Sequence, residues 1–174
     1  MKLNKARILS LTFFVLLAAV SVFAQGQSFS DANVDYTFEV PDDRWKMTVK
    51  PSATSPNVEY VFIERNEGHL EVRKLSVAKD AYLTDIVRDE EQKLQFLPGF
   101  VAGKEENFGG FLKGTVFNYE FVRAGRPMSG CFYFLKANDN TIYVLRFTGF
   151  RDKLKTIRNQ TDSIGRTFQL KRAA

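Results

Sequence analysis

Apolar and polar residues alternate along most of this chain, and in two stretches the period lengthens from two to between three and four. Tyr36, Phe38 and Val40 alternate with Thr37 and Glu39; after Pro41, Trp45, Met47 and Val49 alternate with Lys46, Thr48 and Lys50. Period two collects one set of side chains on one face of a strand, so this segment predicts two strands, most simply a hairpin. Pro41 fixes its own φ and has no N–H for a ladder, while Asp42 and Asp43 bond their own backbone, so the reversal between the strands is well specified. Trp45 falls on the face of Met47 and Val49, which makes it a core or clamping residue before it is a binding anchor. Val58 to Glu64 and Leu70 to Val77 are the next two strands, joined by Arg65 to His69, where Gly68 can supply a positive φ.

From Tyr82 the period changes. Leu83, Ile86, Val87, Glu90, Leu94 and Leu97 step by three or four, with Asp89 and Lys93 as an outer ion pair and Pro98-Gly99 as the stop, which predicts an amphipathic helix. Four further strands follow with short connections: Phe100–Phe108, Phe111–Arg123, Met128–Lys136 and Thr141–Phe150. In the last two of these, Cys131 to Leu135 and Ile142 to Phe147 are apolar at nearly every position, as strands covered on both faces are. Phe150, Leu154, Ile157, Thr161, Ile164 and Phe168 then mark one stripe of a final helix, with Gly165 placed as its C-terminal cap. The expected class is α+β: an antiparallel sheet packed between two amphipathic helices in three layers.

Residues 1–24 stand apart from this pattern. Lys2, Lys5 and Arg7 precede an uncharged apolar run from Ile8 and end at small residues, the layout of a secretory signal with cleavage between Ala24 and Gln25. An uncleaved membrane anchor is the alternative, and the only route to the membrane the sequence offers. Residues 25–33 read as a flexible polar leader and 34–174 as a single domain. Lys2, Lys5 and Arg7 account for three of the five net positive charges, leaving +2 on the rest, so no nucleic-acid partner is implied. The single cysteine, Cys131, excludes an internal disulfide, and packing must supply the stability. Fourteen of the seventeen phenylalanines lie beyond Ala24, enough for a dense aromatic core.

With "YTFEVPDDRW", the helix from Leu83 to Leu97, the Gly-punctuated meander from Asn107 to Gly149 and the closing "DSIGRTF", the chain from Tyr36 to Leu170 resembles the PsbP-like family. That fold is shared by a thylakoid-lumen photosystem subunit, a small Ran-binding nuclear protein and many exported bacterial domains. The resemblance implies a compact antiparallel sheet between helices and a role in docking onto another protein. It carries no catalytic residue set to this chain, and the export signal argues against the nuclear branch.

The chemistry-bearing residues are few. His69, the only histidine, lies at a turn with no paired nucleophile in the sequence. Cys131 sits in an apolar strand and reads as a small hydrophobe. Ser129 precedes a glycine without the G-x-S-x-G spacing, and Asp31, Asn33 and Asp35 open like a calcium loop but run into a strand with Tyr36 where glycine is needed. No zinc, P-loop or dinucleotide motif occurs, so no metal, cofactor or catalytic residue is expected. Arg151, Lys155 and Arg158 recur at helical spacing on the outside of the last helix and form the candidate partner surface, with Pro41, Trp45 and Cys131 structural. The expectation is an exported, periplasmic or extracellular, non-enzymatic domain that docks to another envelope or periplasmic protein. A small apolar-ligand or lipid binder with a phenylalanine-lined pocket is the alternative, and an enzyme using Glu64, Glu71 and Glu120 a third.

Overall fold

The computed structural model describes residues 26–172. The expected signal segment and its expected cleavage position, between Ala24 and Gln25, lie outside the described residues.

The elements run β1 (Gln27–Ser30), β2 (Tyr36–Val40), β3 (Trp45–Val49), β4 (Val58–Phe62), β5 (His69–Ser76), α1 (Leu83–Leu94), β6 (Val101–Gly109), β7 (Lys113–Arg123), β8 (Arg126–Asn138), β9 (Thr141–Phe150), α2 (Arg151–Thr156), α3 (Arg158–Thr167) and β10 (Gln169–Leu170). Seven strands form one antiparallel sheet in the order β3-β4-β5-β9-β8-β7-β6, and β1-β2-β10 form a second, small one. The fold is α+β, built on antiparallel sheets.

The doubly apolar strands sit at the centre, and their alternate residues serve two separate cores. Cys131, Tyr133, Leu135, Tyr143, Leu145 and Phe147 join one cluster with Leu154, Ile157, Ile164 and Phe168. Phe132, Phe134, Ile142 and Val144 join the other with Val87 and Leu94 of α1. A strand alternates faces residue by residue, so apolar side chains at consecutive positions require this double burial. The cover differs from a single helix per face. One face carries α2, α3 and the residues of β1 and β2 together, because Phe29, Tyr36, Phe38 and Val40 are buried in that cluster.

Several local expectations are corrected. β2 and β3 are not a hairpin. β2 pairs with β1 through Phe29↔Phe38 and with β10 through Tyr36↔Leu170, whereas β3 pairs with β4. Of the two turn aspartates, Asp42 bonds the backbone as expected, accepting from the Arg44 N–H at 3.0 Å, but the turn carries the chain from one sheet to the other. The polar leader contains strand β1, because Phe29 is 4% exposed and stacks on Phe38 at 4.8 Å. Met47 and Val49 are 40% and 38% exposed while Trp45 is 2%, so Trp45 does not share a buried face with them; β3 is an edge strand with a register shift between Met47 and Val49.

Gly68 is small for space and not for its φ. A Cβ there would stand 2.8 Å from Ile157 Cδ1, and the positive φ in this turn belongs to Ile63. The final helix breaks at Ile157, whose φ of −98° and ψ of 14° separate α2 from α3. The apolar stripe survives the break, since Leu154, Ile157, Thr161 and Ile164 are all buried. Gly165 is no cap: α3 runs through it to Thr167. A Cβ at Gly165 would meet Phe108 Cζ and Tyr133 Cδ1 at 3.0 Å, so glycine lets the helix press onto the sheet.

Candidate functional site

A groove of about 540 Å³ lies where α2 and the start of α3 cross the sheet. It exists because the strands beneath carry short side chains. Ala102 of β6 and Ser129 and Cys131 of β8 line it with short side chains, while Gly130 makes room for the Tyr119 ring of β7, which a Cβ there would overlap. Gly103 also permits close strand approach, since a Cβ there would stand 2.6 Å from the Asn118 carbonyl oxygen. The far wall is helical: Arg151, Leu154 and Lys155 of α2 and Arg158 of α3.

The candidate surface residues are therefore brought together, but around a hollow and not on a convex helix face. Arg151 Nη1 lies 3.2 Å from Glu120 Oε2, with both side chains about half exposed (56% and 50%). Arg158 donates to Asn118 Oδ1 at 2.6 Å and to Asp162 Oδ1 at 3.1 Å, which fixes its guanidinium over the groove. Lys155 makes no ion pair among the described residues. Among the lining residues three cations face one carboxylate, Glu120, so the hollow joins a small apolar floor to a net positive rim. No phenylalanine lines it, in contrast to the expected phenylalanine-walled pocket.

Cys131 forms part of the floor and is 2% exposed. Burial pushes its thiol up to about 12, against the opposing pull of Arg158, so it stays protonated and unreactive near neutral pH. Trp45 is architecture: its Nε1–H donates to Gln160 Oε1 of α3 at 2.7 Å, and its ring meets Phe62 at 5.3 Å and Phe147 at 6.0 Å. Pro41 follows β2 directly.

His69 has a partner that sequence reading missed. Its Nε2 lies 2.7 Å from Glu59 Oε2, and the ring is nearly buried. The signal was the pairing of β4 with β5, which brings Val61 opposite His69 and Glu59 to the same end of the sheet. No hydroxyl or thiol hydrogen-bonds this ring among the described residues. Glu64, Glu71 and Glu120 do not share a cleft: Glu120 lines the groove, Glu71 lines a separate small cavity, and Glu64 is exposed in the β4–β5 turn. Asp31 binds the backbone and side chain of Asn33 at 2.9 Å. Asp35 is hydrogen-bonded to Lys74 and Tyr143. Among the described residues no cluster of three or more His, Cys, Asp or Glu is placed to hold a metal ion, and no helix is long and apolar enough to cross a membrane.

No protein-family model matches the chain, and no curated protein matches it by sequence. Solved structures do. Cyanobacterial PsbP from Synechocystis sp. PCC 6803 superposes with a TM-score of 0.58 at 19% identity, over 88% of this chain and 96% of that one. LpqN of Mycobacterium tuberculosis, described as involved in cell envelope biogenesis, gives 0.54 at 14% identity over 85% and 91%. PA94 of Pseudomonas aeruginosa, a protein of unknown function, gives 0.52 at 15% over 86% and 99%. At these identities the likeness is one of fold, and the fold of this chain is the PsbP-like one.

Proposed function

We propose that the protein is an exported, non-enzymatic binding domain, and that its site is the groove between β6–β8 and α2–α3. The ligand that fits is a small amphipathic anion: an apolar chain or ring against Ala102, Leu154 and the strand floor, with an acidic head between Lys155 and Arg158. The observation that carries this reading is the placement of three cations, one of them unpaired among the described residues, around a hollow with a small apolar floor. Its volume falls within the range of about 300–1,000 Å³ usual for small-molecule sites. Export is supported by the signal-like leader and by the cell-envelope role in the description of LpqN. Docking to another envelope or periplasmic protein is the competing reading; a concave cationic wall suits it less well than a convex one.

The test is calorimetric titration of palmitate into the purified protein, with Lys155→Glu as the variant and Lys153→Glu as the matched change of charge. Lys153 lies on the same helix but pairs with Glu67 outside the groove. One site per chain is expected, weakened about tenfold or more by Lys155→Glu, equivalent to about 1.4 kcal/mol or more, and little changed by Lys153→Glu. No binding, or equal binding by both variants, overturns the ligand reading and returns the weight to a protein partner.

A further inference from the structure

On the opposite face of the sheet from the groove, a second cavity of about 100 Å³ is walled by Arg65, Arg123 and Arg146 with His69, Glu71 and Thr148. The charges around it do not balance internally. Arg65 and His69 share Glu59, at 3.4 and 2.7 Å. Glu71 faces Arg73 at 3.5 Å. Arg123 and Arg146 have no carboxylate within ion-pair distance among the described residues. Arg146 is only partly exposed, its Nε donates to the Tyr119 hydroxyl at 3.0 Å, and its guanidinium carbon stands 5.5 Å from the Phe132 ring centre. The Arg123 guanidinium is likewise held 5.4 Å from the Phe121 ring centre.

An aromatic ring beside a guanidinium offers a weak cation–π attraction that does not use up its N–H donors, which stay free to grip an oxyanion. Glu71 stands opposite Arg146 in the β5–β9 ladder but makes no ion pair with it and faces Arg73; a partly buried guanidinium with no carboxylate in contact is costly, and an anion in the cavity would relieve that cost. The cavity is too small for the amphipathic ligand of the groove. We propose that this cavity is a second, independent site that binds one small oxyanion, a phosphate or carboxylate group, between Arg123 and Arg146. His69 and Thr148 complete its polar wall.

The experiment is titration of inorganic phosphate into the purified protein at fixed ionic strength, with Arg123→Gln and Arg146→Gln. A parallel arm measures retention on phosphatidylcholine vesicles doped with phosphatidate. Arg123 is exposed and outside both cores, so its variant keeps the test open if Arg146→Gln fails to fold. Saturable phosphate binding reduced about tenfold or more by Arg123→Gln supports the site with a free anion as ligand. Vesicle binding alone, lost in Arg123→Gln, supports it with a lipid headgroup as the source. Absence of both at millimolar phosphate, or binding that Arg123→Gln leaves unchanged, overturns it. Palmitate binding in the groove is read separately and is unaffected by either outcome.

Discussion

Glu90→Gln should uncouple α1 from the sheet and reveal how a buried charge is held. The Glu90 side chain is 7% exposed on a helix whose other buried residues, Val87 and Leu94, are apolar. Its Oε2 accepts from Arg73 Nη2 of β5 at 3.0 Å, and its Oε1 from Lys93 Nζ at 2.7 Å. Glutamine keeps the shape and removes the charge, leaving the quarter-exposed Arg73 guanidinium facing a neutral amide. A hydrogen bond to a charged group is worth about 1.5–3 kcal/mol, and the Lys93 pair, 66% exposed on its lysine side, at most about 1. The variant should therefore lose roughly 2–3 kcal/mol at pH 7, read by urea unfolding followed through Trp45 fluorescence.

The pH dependence separates charge from packing. Burial alone would raise the Glu90 carboxyl, but its bonds to Lys93 and Arg73 outweigh burial and hold it below the ordinary 4.5. A folded pKa below the unfolded one gives stability that is complete above about 4.5 and is lost as pH falls through the lower folded value. The difference between wild type and Glu90→Gln should accordingly shrink towards zero in acid. A difference that stays constant with pH, or one under about 0.5 kcal/mol at pH 7, would refute the ion-pair account.

Three further outcomes follow from the packing. Trp45→Phe removes the bond to Gln160 and part of a buried ring, and should cost about 2 kcal/mol by urea unfolding; a neutral result would make the indole dispensable as a clamp. Gly165→Val places a branched side chain against Phe108 and Tyr133 and should cost about 2 kcal/mol, a fall in Tm of roughly 4–8 °C, although valine is the better helix former. Cys131 should resist a thiol-specific disulfide reagent in the native protein at mildly alkaline pH and react fully in urea; rapid native reaction would show that the groove floor opens.

Periodicity was legible wherever one face of an element is buried against a core, because burial selects residue type directly. It located α1, every long strand, and the double cover of β8 and β9. What it could not show is which strands pair. Tyr36, Phe38 and Val40 have the same alternation whether β2 pairs with β3 five residues on or with β10 at Leu170. The turn at Pro41 fixes a change of direction and not a partner, which is set by distant contacts such as Phe168 on Tyr36 at 5.0 Å and Phe29 on Phe38 at 4.8 Å. Glu90 was legible in part: the sequence placed a carboxylate on an apolar stripe, which demands a cation, and Lys93 on the same helix supplies one, but the other, Arg73, comes from another element.

The groove lay beyond sequence reading for a different reason. A hollow is made by what is missing, here long side chains at Ala102, Ser129 and Cys131, and small residues on two separate strands form no motif until register sets them on either side of β7. The basic row had a signal, since Arg151, Lys155 and Arg158 recur at helical spacing, but the spacing assumed one continuous helix with its charges facing water. The break at Ile157 and the bonds from Arg158 to Asn118 and from Arg151 to Glu120 turn that row into a wall over the strands. Residues selected only for solubility gain nothing from such cross-element bonds, because an exposed lysine or arginine keeps a surface hydrated from any rotamer. That two of the three are tethered over a hollow of ligand size, while the third is left without a counter-charge among the described residues, is what supports the proposed ligand reading of the row.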